Sequence, residues 1–252
     1  MSNTSPVLIL LISSVFASIY FHLINFRSIY AVYEKLMKQK MLFLQLNIIV
    51  AIMWVFTYYS IFFSSATLFV FQFFTTAAFL SAISFRKKDY FQVLFLCIFL
   101  LAIVIPFFVF NHYLLGMFFG VLAGGFGFFY NIITSKIAST LKINASQTLA
   151  PRFWFLIILL PFFLPNDISN QITTDNIMQI LVITILSFIL QIWFNQKSVI
   201  EAGGKETSLI SCFAPLLTFL MQGVLLNNWF IPILFLSFFP PVYVLYEWKF
   251  KC

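Results

Sequence analysis

The chain has 252 residues, 62% of them hydrophobic and 8% charged, where a soluble domain carries about 25% charged residues. That composition excludes a water-soluble globular fold, and a mean hydropathy of +1.03 makes lipid the expected solvent. The net charge of +7 is then read against a membrane: it implies anionic headgroups as neighbours and gives no reason to invoke nucleic acid.

A helix needs about 20 apolar residues to cross the hydrocarbon. Segments of that kind fall near 7–27, 41–63, 66–84, 90–110, 113–135, 148–165, 176–195, 207–226 and 229–248. The first is expected to be retained as a span, because Met1–Pro6 brings no basic residue ahead of the apolar run and no small-residue cleavage site follows. Turn signals separate the others: Ser64-Ser65, Arg86–Asp89, Asn111-His112, Asn166-Asp167, Gly203-Gly204 and Asn227-Asn228. The expected fold is an all-α polytopic membrane protein of about nine transmembrane helices, with no loop long enough to be a domain.

Alternate loops face opposite sides, so the positive-inside rule tests the span count. The nine segments put all 14 Lys and Arg residues on one side and leave Asp167, Asp175, amides and hydroxyls on the other. A missed or invented span in mid-chain would scramble that segregation. The expected orientation has the N-terminus outside and the C-terminus cytoplasmic, in a bacterial inner membrane.

An offset of about 139 residues lays the chain over itself. It pairs Trp54 with Trp193, Ser64-Ser65 with Gly203-Gly204, Phe74 with Phe213, and Arg86–Asp89 with Leu225–Asn228. Paired loops lie on opposite faces, as an inverted repeat requires. The same offset lays 148–165 over the first span and 113–135 over positions before Met1. The expectation is a four-plus-five inverted repeat in one membrane domain, with residues 1–111 as the first repeat and 112–252 as the second.

Two stretches look alike in plan: Tyr59–Ala66 through Phe85-Arg86-Lys87-Lys88, and Glu201–Ser208 through Ala214-Pro215-Leu216. Each reads as helix, small-residue turn and second helix. The arrangement resembles the drug/metabolite transporter superfamily, the EamA-like branch in particular, without that family's first helix and with Thr76 where the second repeat has Pro215. The resemblance covers nearly the whole chain. It implies a secondary transporter whose helices surround a central cavity between the repeats.

Polar groups inside a bilayer are costly unless paired or facing water, so they are the first candidates for function. On the helices that the resemblance places around the cavity these are Trp54, Tyr58 and Tyr59, then Gln72, Thr75 and Thr76, Tyr130 and Asn131, Arg152, and Gln191, Trp193 and Asn195. Trp54 and Tyr58 share one helix face and could offer π-faces and a hydroxyl, although an aromatic belt explains them as well. Gln72 and Asn131 lie deeper, where an amide needs a partner; a cavity role competes with a plain interhelical hydrogen bond. Arg152 follows Pro151 at the cytoplasmic end of its span, where an arginine ordinarily snorkels to the headgroups. The sharper alternative has its planar fork meeting a substrate carboxylate or phosphate. Gly116, Gly120 and Gly124 share a face of the fifth span and read as close helix packing.

No Asp or Glu falls at mid-membrane, which argues against a carboxylate proton relay. His22 and His112 have no metal-ligand spacing, and Cys97, Cys212 and Cys252 lie far apart, so no metal or cofactor is expected. With no paired carboxylates and no Ser/His arrangement, the chain is not expected to be an enzyme. The expected function is secondary transport of a small polar metabolite, an amino acid or related amine, by alternating access. Rival readings are a non-transporting membrane subunit and, more remotely, a lipid-modifying enzyme. The partners implied are a small-molecule substrate, the bilayer, and either a second copy or a partner helix.

Overall fold

The computed structural model describes residues 5–84, 90–164, 174–227, 229 and 231–251. The turn residues Arg86–Asp89, Asn166, Asp167 and Asn228, and the side chains of Asp175, Lys249 and Lys251, lie outside the described residues. Among those described there is no strand. The helices are α1 (Pro6–Ile24), α2 (Ile29–Lys38), α3 (Lys40–Phe63), α4 (Ala66–Ser84), α5 (Tyr90–Val109) and α6 (Leu114–Leu141). In the run that follows, α7 (Ala145–Leu149) and α8 (Trp154–Leu159) alternate with 3-10 turns at Ala150–Phe153 and Leu160–Phe163. Next, α9 (Thr174–Ile183) passes through a π-helical stretch, Thr184–Gln191, into α10 (Ile192–Ala202). The last helices are α11 (Gly204–Ile210), α12 (Phe213–Leu226) and α13 (Ile231–Lys251).

Seven helical stretches among the described residues are long and apolar enough to cross a membrane: Pro6–Ile24, Lys40–Phe63, Ala66–Ser84, Asn111–Leu141, Ala145–Phe163, Asn176–Ala202 and Gly204–Val224. Two shorter apolar helices, Val93–Val109 and Ile231–Tyr246, stand at the remaining expected positions. Backbone groups in hydrocarbon must be satisfied within the chain, and helices do this segment by segment. The chain is a multi-pass helical membrane protein.

Three local features depart from the expected boundaries. Helix α2 fills what reads as a plain loop: Val32 and Leu36, one turn apart, are buried, while Glu34, Lys35 and Lys38 are exposed. That pattern makes an amphipathic surface helix, reinforced by an exposed Glu34–Lys38 pair at 2.9 Å. The run expected to begin near 148 begins at Ala145. Asn144 caps it, its side chain accepting from the Gln147 N–H while the Gln147 side chain accepts from the Asn144 N–H. Helix α10 continues past the expected end near 195 and stops at Gly203, whose φ of 102° only glycine adopts readily.

The chain divides into two compact units, Met1–Tyr58 with Tyr130–Gly204, and Tyr59–Phe129 with Lys205–Cys252. Each draws on both halves of the sequence. In the first unit α1 is central, packed against the broken run Ala145–Phe163 and against the π-helical stretch. Its buried face is lined by small residues, Ser13, Ser14, Ala17 and Ser18, between Leu10 and Phe21.

In the second unit α4 is central and packs on α5, α12 and α13. One apolar cluster there joins Ala78, Phe99, Leu209 and Tyr243, and another joins Phe71, Met117, Phe219 and Ile233. The expected glycine face of α6 belongs to this unit as well. A Cβ at Gly116 would lie 2.6 Å from Ser64 Cβ, at Gly120 3.0 Å from Gln72 Cβ, and at Gly124 2.4 Å from the Phe73 carbonyl oxygen. These glycines let backbones approach where no larger residue fits.

Candidate functional site: a buried guanidinium

Arg152 does not extend to the protein surface. Its helical run starts at Ala145, three residues before the expected start near 148, so the residue sits about 4–5 Å further into the run than expected. The 3-10 turn Ala150–Phe153 holds the side chain inside the first unit, 1% exposed and the bulkiest of the fully buried side chains. The snorkelling expectation is overturned by that burial.

The guanidinium is embedded in aromatic and amide groups. Its Nη1 donates to the Tyr130 hydroxyl at 2.5 Å, and that hydroxyl donates to Gln196 Oε1, also at 2.5 Å. Its central carbon lies 4.9 Å from the Tyr130 ring centroid and 4.7 Å from that of Phe153, both within cation–π range. Arg152 Nε and Gln196 Nε2 are buried without a hydrogen-bond partner. The ion pairs among the described residues are Lys38–Glu34 and Lys197–Glu201, and neither includes Arg152. Glu34, Glu201 and Glu206, the carboxylates whose side chains are described, are all exposed.

Other expected residues gather in the same unit. Asn131, nearly buried beside Tyr130, accepts through Oδ1 from Asn195 Nδ2 at 3.2 Å. Trp54 stacks on Phe188 at 4.1 Å between centroids, with Tyr58 6.2 Å from Trp54, and Phe188 in turn lies 6.0 Å from Phe153. Thr184 Oγ1 donates to the Ile180 carbonyl at 2.7 Å and lies 2.9 Å from Ser13 Oγ. Trp54 Nε1 is buried without a partner. The result is a continuous path of contacts from Trp54 through two phenylalanines to Arg152, Tyr130 and Gln196.

The remaining expected residues lie elsewhere. Tyr59 packs on Phe63 and Phe119 in the second unit. Gln72, fully buried in that unit, donates through Nε2 to the Ile103 carbonyl at 3.2 Å, so the interhelical bond is realised there. Thr75 and Thr76 are buried with hydroxyls that lack a partner, Thr76 facing Gly124. Gln191 is exposed at the end of the π-helical stretch. Trp193 lies 5.9 Å from Lys197 Nζ.

The sequence reading missed Gln196, which is fully buried. Its signal was the interruption of an apolar run by adjacent amides at 195 and 196. The wide π turn hid which of them faces inward, since it shifts the helical phase upstream of both.

A second feature of the first unit is an apolar cavity of about 290 Å³, lined by Tyr33, Met37, Phe43, Leu44, Asn47, Trp154, Phe155 and Ile158. The Tyr33 hydroxyl accepts from Trp154 Nε1 at 2.5 Å and lies 2.9 Å from His22 Nε2, tying α2 to α1 and α8. Burial pushes the Tyr33 phenol above its ordinary range, with the Trp154 bond pulling the other way. His22 is thus a satisfied packing residue, also 2.7 Å from the Ser18 carbonyl, and His112 sits exposed in the turn Asn111–Tyr113. Among the described residues no group of three His, Cys, Asp or Glu could hold a metal ion.

No family model matches the chain, and no curated protein or solved structure matches it.

Proposed function

We propose that the chain is a secondary transporter that moves a small polar metabolite across a bacterial inner membrane by alternating access. The observation that carries this reading is the interruption of two spans in one unit. Ala145–Phe163 is broken by 3-10 turns at Pro151 and Pro161, and Asn176–Ala202 by the π turn. Irregular backbone at membrane depth is tolerated where it is buried in protein or lines a cavity, and transporters bind solutes at such discontinuities. Here the irregular stretches carry or flank the buried groups, Arg152 on one and Thr184 and Gln196 on the other.

The two-repeat, nine-span topology is part of the proposal and has support in the helix ends. At the offset of about 139, Pro6–Ile24 matches Ala145–Phe163, Lys40–Phe63 matches Asn176–Ala202, Ala66–Ser84 matches Gly204–Val224, and Val93–Val109 matches Ile231–Tyr246. The first two pairs fall mostly or wholly in the first unit and the last two in the second. With nine spans the N-terminus is outside and every described basic side chain except Arg152 is at least partly exposed on the cytoplasmic side.

Reconstitution tests the reading. Vesicles loaded with a mixture of amino acids, amines and organic acids should exchange external labelled solute faster than empty vesicles or vesicles carrying a heat-inactivated sample. No exchange with any solute class, together with a protein that co-purifies stoichiometrically, would replace this reading with that of a non-transporting subunit.

A further inference from the structure

We propose that Arg152, Tyr130 and Gln196 form the recognition point for the carboxylate of the solute, so that the transported class is carboxylate-bearing rather than amine. The site's existence stands on the geometry alone; that its ligand is cargo rests on the transporter reading above.

Three observations converge. The first is charge: a guanidinium keeps its proton when buried, and this one is 1% exposed with no carboxylate paired to it among the described residues. An isolated buried cation is costly, and a monoanion bound beside it removes that cost. An amine would instead place a second positive charge against the first, and a phosphate dianion would leave a net negative charge behind.

The second observation is the donor and acceptor count. Tyr130 accepts from Arg152 and donates to Gln196 Oε1, so the acceptors of the cluster are occupied. Arg152 Nε–H and the Gln196 amide N–H group are buried without partners, and both are donors. A group with two acceptor oxygens and no donor complements them, and the planar guanidinium edge suits a carboxylate. Tyr130 holds both donor-bearing side chains, one on each side of its hydroxyl, which fixes their separation before a ligand arrives.

The third is the surround. Phe153 and Tyr130 flank the guanidinium, and Phe188 and Trp54 continue the aromatic wall. The walls suit the apolar body of a small organic acid.

The test uses the purified full-length chain in detergent and matched small solutes. A series of carboxylates from acetate to phenylacetate, with L-alanine, is compared with propylamine, propionamide and inorganic phosphate by thermal shift and calorimetry at neutral pH. Expected is stabilisation by one or more carboxylates, none by the amine or amide, and a weakening of at least about tenfold in Arg152→Gln, the scale of a lost charge-assisted hydrogen bond. Arg152→Lys, which keeps the charge but loses the fork, should recover part of the affinity, and Gln196→Leu should weaken it less than Arg152→Gln.

The proposal is overturned if no carboxylate binds, if the amine, amide or phosphate binds as well as its matched carboxylate, or if Arg152→Gln retains wild-type affinity. Should Arg152→Gln not fold, the matched solutes on the wild type and the Gln196→Leu variant decide the matter. Vesicle exchange run alongside separates the two readings. Carboxylate binding without flux overturns transport and leaves the site standing, whereas flux of other solutes without carboxylate binding overturns the site and leaves transport standing.

Discussion

The two units differ in where their interhelical polar contacts end. In the second, three side chains bond backbone carbonyls of neighbouring helices, Ser60 donating to Gly116 at 2.7 Å, Gln72 to Ile103 at 3.2 Å and Ser81 to Lys205 at 2.7 Å, while the Thr75 and Thr76 hydroxyls are buried without a partner. Glycines on α6 sit against those same helices. In the first, one group of side chains bonds among itself, Arg152 to Tyr130, Tyr130 to Gln196 and Asn195 to Asn131, with Thr184 2.9 Å from Ser13, and Arg152 and Thr184 lie on stretches that depart from α geometry. A hydroxyl on a carbonyl stitches two helices and uses its one proton to do so. A network of side chains ending in unpaired donors is poised for something else.

The contrast predicts substitutions of opposite sign. The largest effect is expected at Gly124, where even a methyl group would meet a backbone oxygen at 2.4 Å. Gly124→Leu should destabilise the protein by about 3 kcal/mol or more, the upper range of overpacking, and lower its melting temperature in detergent without any ligand present. Next comes Arg152→Met, which should raise ligand-free stability by about 1–4 kcal/mol, because an apolar residue of similar volume replaces a buried cation. A fall in stability there would mean that the guanidinium belongs to the packing, and the distinction between the units would collapse.

A smaller loss, about 1 kcal/mol, is expected for Gln72→Leu, which removes one interhelical hydrogen bond to Ile103; thermal melts of the paired Gln72→Leu and Ser60→Ala variants measure it. The smallest effect belongs to the exposed Glu34–Lys38 pair. The Lys38 ammonium holds the Glu34 carboxyl below the usual carboxylate range, so its contribution is present above the ordinary glutamate value and lost as pH falls through the depressed one. Both side chains are solvated, so Glu34→Gln should leave the melting temperature unchanged within error across that window.

Much of this was readable before any coordinates. The apolar segments stand out by length and composition, and the glycine spacing on α6 names its own packing face. Trp54 with Tyr58, and Tyr130 with Asn131, are where helical periodicity places them. Helix α2 was also within reach, since Val32 and Leu36 alternate with Glu34 and Lys38 at helical spacing, but its length falls short of a span.

The burial of Arg152, itself a named candidate, and the inward face of Gln196 were hidden for a different reason. Arg152 lies further into its run than expected because that run starts at Ala145, and the inward face of Gln196 depends on a wide turn that an apolar sequence does not announce. Both are matters of phase along a helix, and single-residue shifts in phase leave composition untouched. The offset that relates the halves places Ser13 opposite Arg152, so the repeat gives no second arginine from which its burial could be read.

The π-helical stretch Thr184–Gln191 acts as a gear tooth. It holds about one residue more than an α-helix would over the same rise, and so turns everything beyond it by about 100°. Asn195 and Gln196 face Asn131 and Tyr130 because of that extra residue. Deleting one position within the stretch would restore a uniform helix and rotate both amides off their partners with no change in hydrophobicity. Sliding the wide turn a few residues along the helix would rotate the intervening side chains in sequence, a motion that breaks only one or two backbone hydrogen bonds at a time.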